Sequence, residues 1–381
     1  MDTVETDAAA MMGTPYNSIG YEERSAIGLL FTGDPERPLS GYLAGKERGG
    51  FYVQALEDKW CEVFGVKHAI ACNSNTSGLF AAAVACGLHS GQKFSVSPIT
   101  MSATAAAPMW TGAHPVFCDV EDETFNYDEL VLGSTVKATF VTNMFGHPAQ
   151  LAKLRAQCDA LGRVMIEDNA QAPFAMEGGK YAGTIGHIGI FSLNVHKHFH
   201  CGEGGVIVTD NSDYADAMRA FINHGEHVSF TTGLNLRMPE ICAAIALTQL
   251  RRGLTLVEDR RLQAEAIIAA IGNVPGIRAP VVRDGCTHSF YIIPWLIEGG
   301  MRGKFCGLLH SYGVPVVEGY QQPLYRMPAF NRMKRKDGCP IAEDLEDRRL
   351  FHIENCAATF SKDEITRIGN AFKRAAECLK S

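Results

Sequence analysis

Between residues 68 and 210 the chain carries a series of short apolar runs, each followed by loop residues, with helical stretches between some of them. The runs are HAIAC (68–72), FSVSP (94–98), HPVFCD (114–119), ATFVTN (138–143), RVMIED (163–168), GIFSL (189–193) and VIVTD (206–210). Strands that alternate with helices predict an α/β layer built on a largely parallel sheet. Functional loops should then lie at the carboxyl ends of the strands. Helical segments are expected at FYVQALEDKWCEVFG (51–65), GLFAAAVACG (78–87) and PAQLAKLRAQCDALG (148–162). The first ends on Gly65, and the last has Pro148 at its start and Gly162 at its end, the expected asymmetry of helix termini. Residues 239–272 read as one or two long helices, and 361–379 as a C-terminal amphipathic helix.

The first 45 residues are punctuated by Gly13, Pro15, Gly33, Pro35, Pro38, Gly41 and Gly45, and read as an irregular arm with one short helix. The expected organisation is an arm (1–45), a large α/β domain (46–255) and a smaller α+β domain (256–381). A composition of 46% hydrophobic and 20% charged residues is that of a globular protein. The formal charge of −7, with no long basic block, argues against nucleic acid as a partner. No apolar run is long enough for a membrane span, and no secretory leader is evident at the amino end. The 12 cysteines are scattered singly without a C-x-x-C pair. That argues against structural zinc and disulfides and for reduced thiols, so the expected location is cytoplasmic and no metal is expected.

Four loops carry candidate chemistry. In CNSNTSG (72–78) small polar residues open a helix, whose free N–H groups suit a phosphate; a plain N-cap is the alternative. In MIEDNAQA (165–172) Asp168 ends a buried strand and needs a cationic partner, a protonated ring nitrogen or an arginine. In FSLNVHKHFHCGEGGVIVTD (191–210) Lys197 lies among apolar and small residues, where desolvation lowers an amine's pKa and favours Schiff-base chemistry. If the segment is extended, His196, His198 and His200 share one face, yet no carboxylate motif completes a metal site. In TTGLNLRMPE (231–240) Asn235 and Arg237 precede a long helix.

In this order and spacing the four loops resemble those of the DegT/StrS-type sugar aminotransferases, which use pyridoxal phosphate (PLP). The resemblance rests on Ser192, Lys197 and Gly202-Glu203-Gly204-Gly205, on the segment Glu167–Ala172, and on Asn235, Arg237 and Met238. Pro98, Thr100, Ala103 and Thr104, the Gly-His-Pro at 146–148 and the Asn-His-Gly at 223–225 add to it. It runs from about residue 40 to the end of the chain. It implies a fold-type I PLP-dependent transferase, with Lys197 as the Schiff-base lysine and proton shuttle and Asp168 on the pyridinium nitrogen. It also implies Gln171 against the ring's phenolic oxygen, and Asn75, Thr76 and Ser192 on the phosphate. Asn235 would reach across from a partner subunit, which implies a homodimer with shared sites.

Three positions depart from the family pattern. Met101 stands where an aromatic residue often stacks on the cofactor ring, and offers a polarisable sulfur instead. Asn75-Thr76 replaces a Gly-Thr pair. The segment Tyr320–Tyr325 replaces an H-x-P-L-H-type stretch and bears on substrate choice. The implied reaction moves an amino group from glutamate or glutamine to a keto sugar, nucleotide-linked or a keto-inositol, by a ping-pong route through pyridoxamine 5'-phosphate. A PLP-dependent sugar dehydratase and a non-catalytic regulator binding PLP or an amino sugar are the competing readings. A lysine rather than a histidine at position 197 favours the aminotransferase.

Overall fold

The computed structural model describes residues 11–31, 48–127, 129–130, 136–225, 232–333 and 338–379. Gly33, Pro35, Pro38, Gly41 and Gly45 of the expected arm lie outside the described residues. Each apolar run of that series forms a strand of one seven-stranded sheet. Across the sheet the order is His68–Cys72, Gly205–Thr209, Ile188–Ser192, Val164–Asp168, Val136–Thr142, Lys93–Val96 and His114–Phe117. Gly205–Thr209 runs antiparallel to both neighbours, and every other pairing is parallel. Its return direction lets the loop that carries Lys197 leave one strand and re-enter the next at the same edge.

The strands are apolar on both faces because both faces are covered. Ile70, Ile190 and Ile207 join one core, whereas Ala69, Ala71, Phe191, Val206 and Val208 join the core on the opposite side. Helix Phe51–Phe64 packs against helix Glu240–Arg251 on that second side. It ends at Gly65 in the left-handed region (φ 67°), as a helix-terminating glycine should. The stretch 239–272 forms two helices, Glu240–Arg251 and Gly253–Ile271, with Arg252 between them.

After residue 277 a four-stranded sheet forms, in the order Ile277–Arg278, Ile293–Ile297, Leu350–Ile353, Val316–Glu318. It shares a core with helices Gly253–Ile271, Arg302–Ser311 and Lys362–Cys378. The arm contains helix Tyr21–Leu29 and a two-residue strand, Thr14–Pro15, which pairs antiparallel with Ala358–Thr359. No helix among the described residues is long and apolar enough to cross a membrane.

Buried carboxylates tie these parts together. Glu240, 1% exposed, accepts hydrogen bonds from the backbone N–H groups of Gly50 (3.0 Å), Tyr52 (2.7 Å) and Val53 (3.4 Å). It thus satisfies the otherwise unpaired first turn of helix Phe51–Phe64, whose own N-cap residue, Gly50, has no side chain to do so. Replacing Glu240 by alanine leaves three buried donors without an acceptor, at a cost of about 2–4 kcal/mol. The expected result is a clear fall in the urea midpoint for Glu240→Ala and a smaller one for Glu240→Gln; an unchanged midpoint for Glu240→Ala contradicts the assignment.

Candidate active site

Parallel strands end at the same edge of a sheet, so their terminal residues become neighbours. Thr142 pairs in register with Asp168, and Asp168 with Ile190, which leaves Ser192 just beyond on the next strand. Above this edge lies a cavity of about 280 Å³. Asn75, Thr76, Met101, Asp168, Gln171, Ser192 and Lys197 all line it, so seven of the eight expected site residues meet in one place. Asn235 does not reach this cavity. It is exposed on the 232–238 stretch and bridges to Asn223.

Asp168 is 3% exposed, and its carboxylate is held from several directions. Thr104 Oγ1 donates to Oδ2 at 2.7 Å, while the Ala170 N–H (3.2 Å) and Asn75 Nδ2 (3.3 Å) donate to Oδ1. A hydroxyl has one hydrogen, and Thr104 spends its own on Asp168. The Thr100–Thr104 contact (3.0 Å) therefore runs from Thr100, and the Thr142–Thr100 contact (2.9 Å) from Thr142. Three hydroxyls form a one-way chain that ends on the carboxylate. Burial pushes the Asp168 carboxyl up, against the lowering effect of these donors and of the Lys197 charge. No salt bridge to Asp168 forms among the described residues, and the Lys197 charge acts on it without a direct contact.

Lys197 sits in a tight loop rather than an extended segment. Its N–H bonds Asn194 O at 2.9 Å, and cross-loop bonds join Val195 to Gly202 and Cys201 to Leu193. The three histidines therefore diverge: His196 is exposed at the cavity, whereas His198 and His200 are buried away from it. His198 Nε2 meets Ser289 O at 2.8 Å. Among the described residues Lys197 Nζ has no hydrogen bond or ion pair; it lies over the Tyr291 ring, 4.3 Å from its centroid. Burial pushes the ammonium down to about 8, and the negative charge of Asp168 opposes that fall. A lysine so placed is a ready amine near neutral pH.

The start of helix Asn75–Ala85 forms the cavity's third wall. Ser74 is its N-cap and takes the Ser77 N–H at 3.1 Å. The Asn75 and Thr76 N–H groups precede any intrahelical acceptor, at the helix's positive end. Because the Asn75 side chain turns to Asp168, its backbone N–H is the group left for an anion. Gly205 allows the helix start to lie directly on the neighbouring strand: a Cβ there would fall 2.6 Å from the Ser74 carbonyl carbon. Met101 stands at the mouth, 55% exposed.

Two aromatic residues also line the cavity: Tyr320, the first residue of the segment that departs from the H-x-P-L-H-type stretch, and Tyr291, which no motif marked. Tyr291 follows Phe290, whose φ of 50° turns the chain at the end of a loop, and Tyr291 N–H bonds Phe145 O at 2.9 Å. Together with His196 they also line a second cavity of about 470 Å³, which includes Tyr16, His352 and Glu354.

The sequence profile of the DegT/DnrJ/EryC1/StrS aminotransferase family matches residues 43–373. A GDP-perosamine synthase from Caulobacter vibrioides is 34% identical over 307 residues, covering 76% of this chain and 81% of that protein. Spore coat polysaccharide biosynthesis protein SpsC from Bacillus subtilis is 30% identical over 259 residues, covering 63% of this chain and 67% of that protein. The crystal structure of an aminotransferase from Psychrobacter cryohalolentis superposes with a TM-score of 0.86 at 24% identity, covering 97% of this chain and 100% of that one. The chain belongs to the DegT/DnrJ/EryC1/StrS aminotransferase family, and its cofactor is pyridoxal phosphate.

The donor set fits that cofactor. Among the described residues, a buried carboxylate without a salt bridge suits a protonated pyridine nitrogen, an ε-amine without hydrogen bonds suits an aldehyde, and a free helix start suits a phosphate. The lowered Lys197 pKa has a kinetic consequence. Only the neutral amine attacks an aldehyde, so cofactor uptake by the cofactor-free protein should accelerate with pH about a midpoint near 8. Because the charge of Asp168 raises the Lys197 pKa, Asp168→Asn should move that midpoint lower. Stopped-flow absorbance at a series of pH values checks both directions; a midpoint above 10 contradicts the assignment.

Proposed function

We propose that this chain transfers an amino group from glutamate or glutamine to the ketone of a sugar or a sugar-like polyol ring. The reading is carried by one observation: Lys197, whose Nζ has no hydrogen bond among the described residues and is lowered in pKa, faces the same cavity as the buried carboxylate of Asp168. Pyridoxal phosphate, when bound, supplies an aldehyde that takes up nitrogen and a ring that accepts the electron pair left when a neighbouring carbon loses its proton.

The residues divide the work by position. Asp168 holds the ring nitrogen's proton, and the one-way hydroxyl chain from Thr142 favours its ionised form. Lys197 anchors the cofactor through its amine and, once released, moves a proton between the substrate carbon and the cofactor. Its position over Tyr291 keeps the amine aimed at the cavity while leaving it free of competing hydrogen bonds. The N–H groups of Asn75 and Thr76 and the Ser192 hydroxyl would hold the phosphate, and Gln171 would hydrogen-bond the phenolic oxygen. Met101 would offer its sulfur to the ring.

The second cavity adjoins the first through His196, Tyr291 and Tyr320, and is the place for the acceptor. Its aromatic faces suit the C–H face of a sugar ring, and His352 and Glu354 offer polar contacts to hydroxyls. Relatives named as acting on nucleotide-linked sugars support that class of acceptor. Asn235, exposed and outside its own cavity, would complete the site of a second subunit, which makes the homodimer part of the reading.

The test separates the two half-reactions. Adding glutamate or glutamine to the yellow holoenzyme should bleach its visible band, and the right keto sugar or keto-inositol should restore it with nitrogen retained in the product. Lys197→Ala should slow turnover by roughly 10²–10⁴-fold, the usual worth of a positioned acid–base group. A product that lacks a hydroxyl and carries no nitrogen, or a band that neither amino acid bleaches, contradicts the proposal.

A further inference from the structure

Gln171 is held at both ends of its amide. Oε1 accepts the Phe145 N–H at 2.7 Å, and Nε2 donates to the Tyr320 hydroxyl at 2.9 Å. The Phe145 contact settles which end is oxygen, because a backbone N–H can only donate. The amide nitrogen carries two hydrogens. One is spent on Tyr320, and the plane fixed by the two contacts determines where the other points. Both Gln171 and Tyr320 line the cavity that Lys197 and Asp168 share.

Tyr320 is itself fixed on every side. Its N–H bonds Glu346 Oε2 at 2.8 Å, its ring meets Phe145 edge-on at 5.1 Å, and His352 lies 6.2 Å away on the other side. Gly319 before it has φ 66° and lies against the Glu346 carboxylate, so the turn that delivers the ring leaves no room for a side chain. The contact also spans the molecule: Gln171 follows the Val164–Asp168 strand of the large sheet, whereas Tyr320 follows Val316–Glu318 of the small one.

We propose that Tyr320 is a positioning residue for the cofactor ring: by accepting one Gln171 amide hydrogen, it fixes the other on the ring's phenolic oxygen. The inference rests on the placement of Gln171 proposed above. It makes the link between the two sheets a control on the cofactor's electronics, because the small sheet must be docked for Gln171 to be aimed. A donor on the phenolic oxygen lowers that oxygen's basicity; without it, the oxygen keeps its shared proton to higher pH.

The experiment is a pH titration of the visible absorption band of the full-length holoenzyme. Tyr320→Phe keeps the ring and removes only the hydroxyl. It should raise the midpoint by about 0.5–1 pH unit, the size of one hydrogen bond. Gln171→Ala should raise it at least as far, and Tyr320→Phe should add nothing in the Gln171→Ala background. Thermal melts of the variants check that each is folded. An unmoved midpoint in Tyr320→Phe overturns the proposal even if turnover falls. A Tyr320→Phe shift that persists undiminished in the Gln171→Ala background overturns the route through Gln171. If neither single variant moves the band, the placement of Gln171 falls and the inference with it. A wild-type protein with no visible band would instead overturn the cofactor's attachment itself.

Discussion

A carboxylate buried at the end of a parallel strand is the constraint on which the site depends. Removing Asp168 from water raises the free energy of its charge, and the protein answers with hydrogen bonds but, among the described residues, no arginine or lysine in direct contact. Hydrogen bonds alone leave the carboxyl pushed up by burial. The remaining imbalance is one that a protonated ring nitrogen, placed there as proposed, would relieve. Lys197 is the mirror case, a cation weakened by the same enclosure. The cavity raises one pKa and lowers the other, so both groups are most at ease once a ligand bridges them.

The rest of the fold serves that arrangement. The parallel pairing sets Thr142, Asp168 and Ser192 at one edge, and the single antiparallel strand closes the Lys197 loop back onto it. Gly205 lets the start of helix Asn75–Ala85 rest directly on the sheet, so its position is set by backbone packing rather than by flexible side chains. The arm and the small sheet approach from the other side. Tyr16 donates from its hydroxyl to His198 O at 2.8 Å while Arg260 lies over its ring, and Tyr320 reaches Gln171. The lysine loop and the Gln171 side chain are thus each held by groups distant in the chain.

Much of this was legible from residues close in sequence. The strands and helices announced themselves by apolar runs, Gly65 and Gly162, and Lys197 and Asp168 were marked by unsuitable surroundings for a charge. What depended on distant contacts was not legible. The Tyr320 segment stood out by its departure from the family pattern, but not its contact with Gln171 from 149 positions away, and nothing around Tyr291 distinguishes it from a core aromatic. The alternation of His196, His198 and His200 suggested one shared face, yet the loop's cross-bonds scatter them. Asn75 reads as a phosphate ligand, but its side chain is drawn to Asp168, because an unbalanced buried carboxylate takes any donor within reach. Asn235 has no role that a single chain can display.

The central claim is that Asp168 keeps the cofactor's ring nitrogen protonated inside a site that would otherwise expel that charge. Nitrogen-15 NMR of holoenzyme loaded with ring-labelled pyridoxal phosphate measures this directly. The account predicts a protonated ring nitrogen in the wild-type protein at neutral pH and a deprotonated one in Asp168→Ala. A neutral ring nitrogen in the wild type, or a protonated one that survives the loss of Asp168, would contradict it.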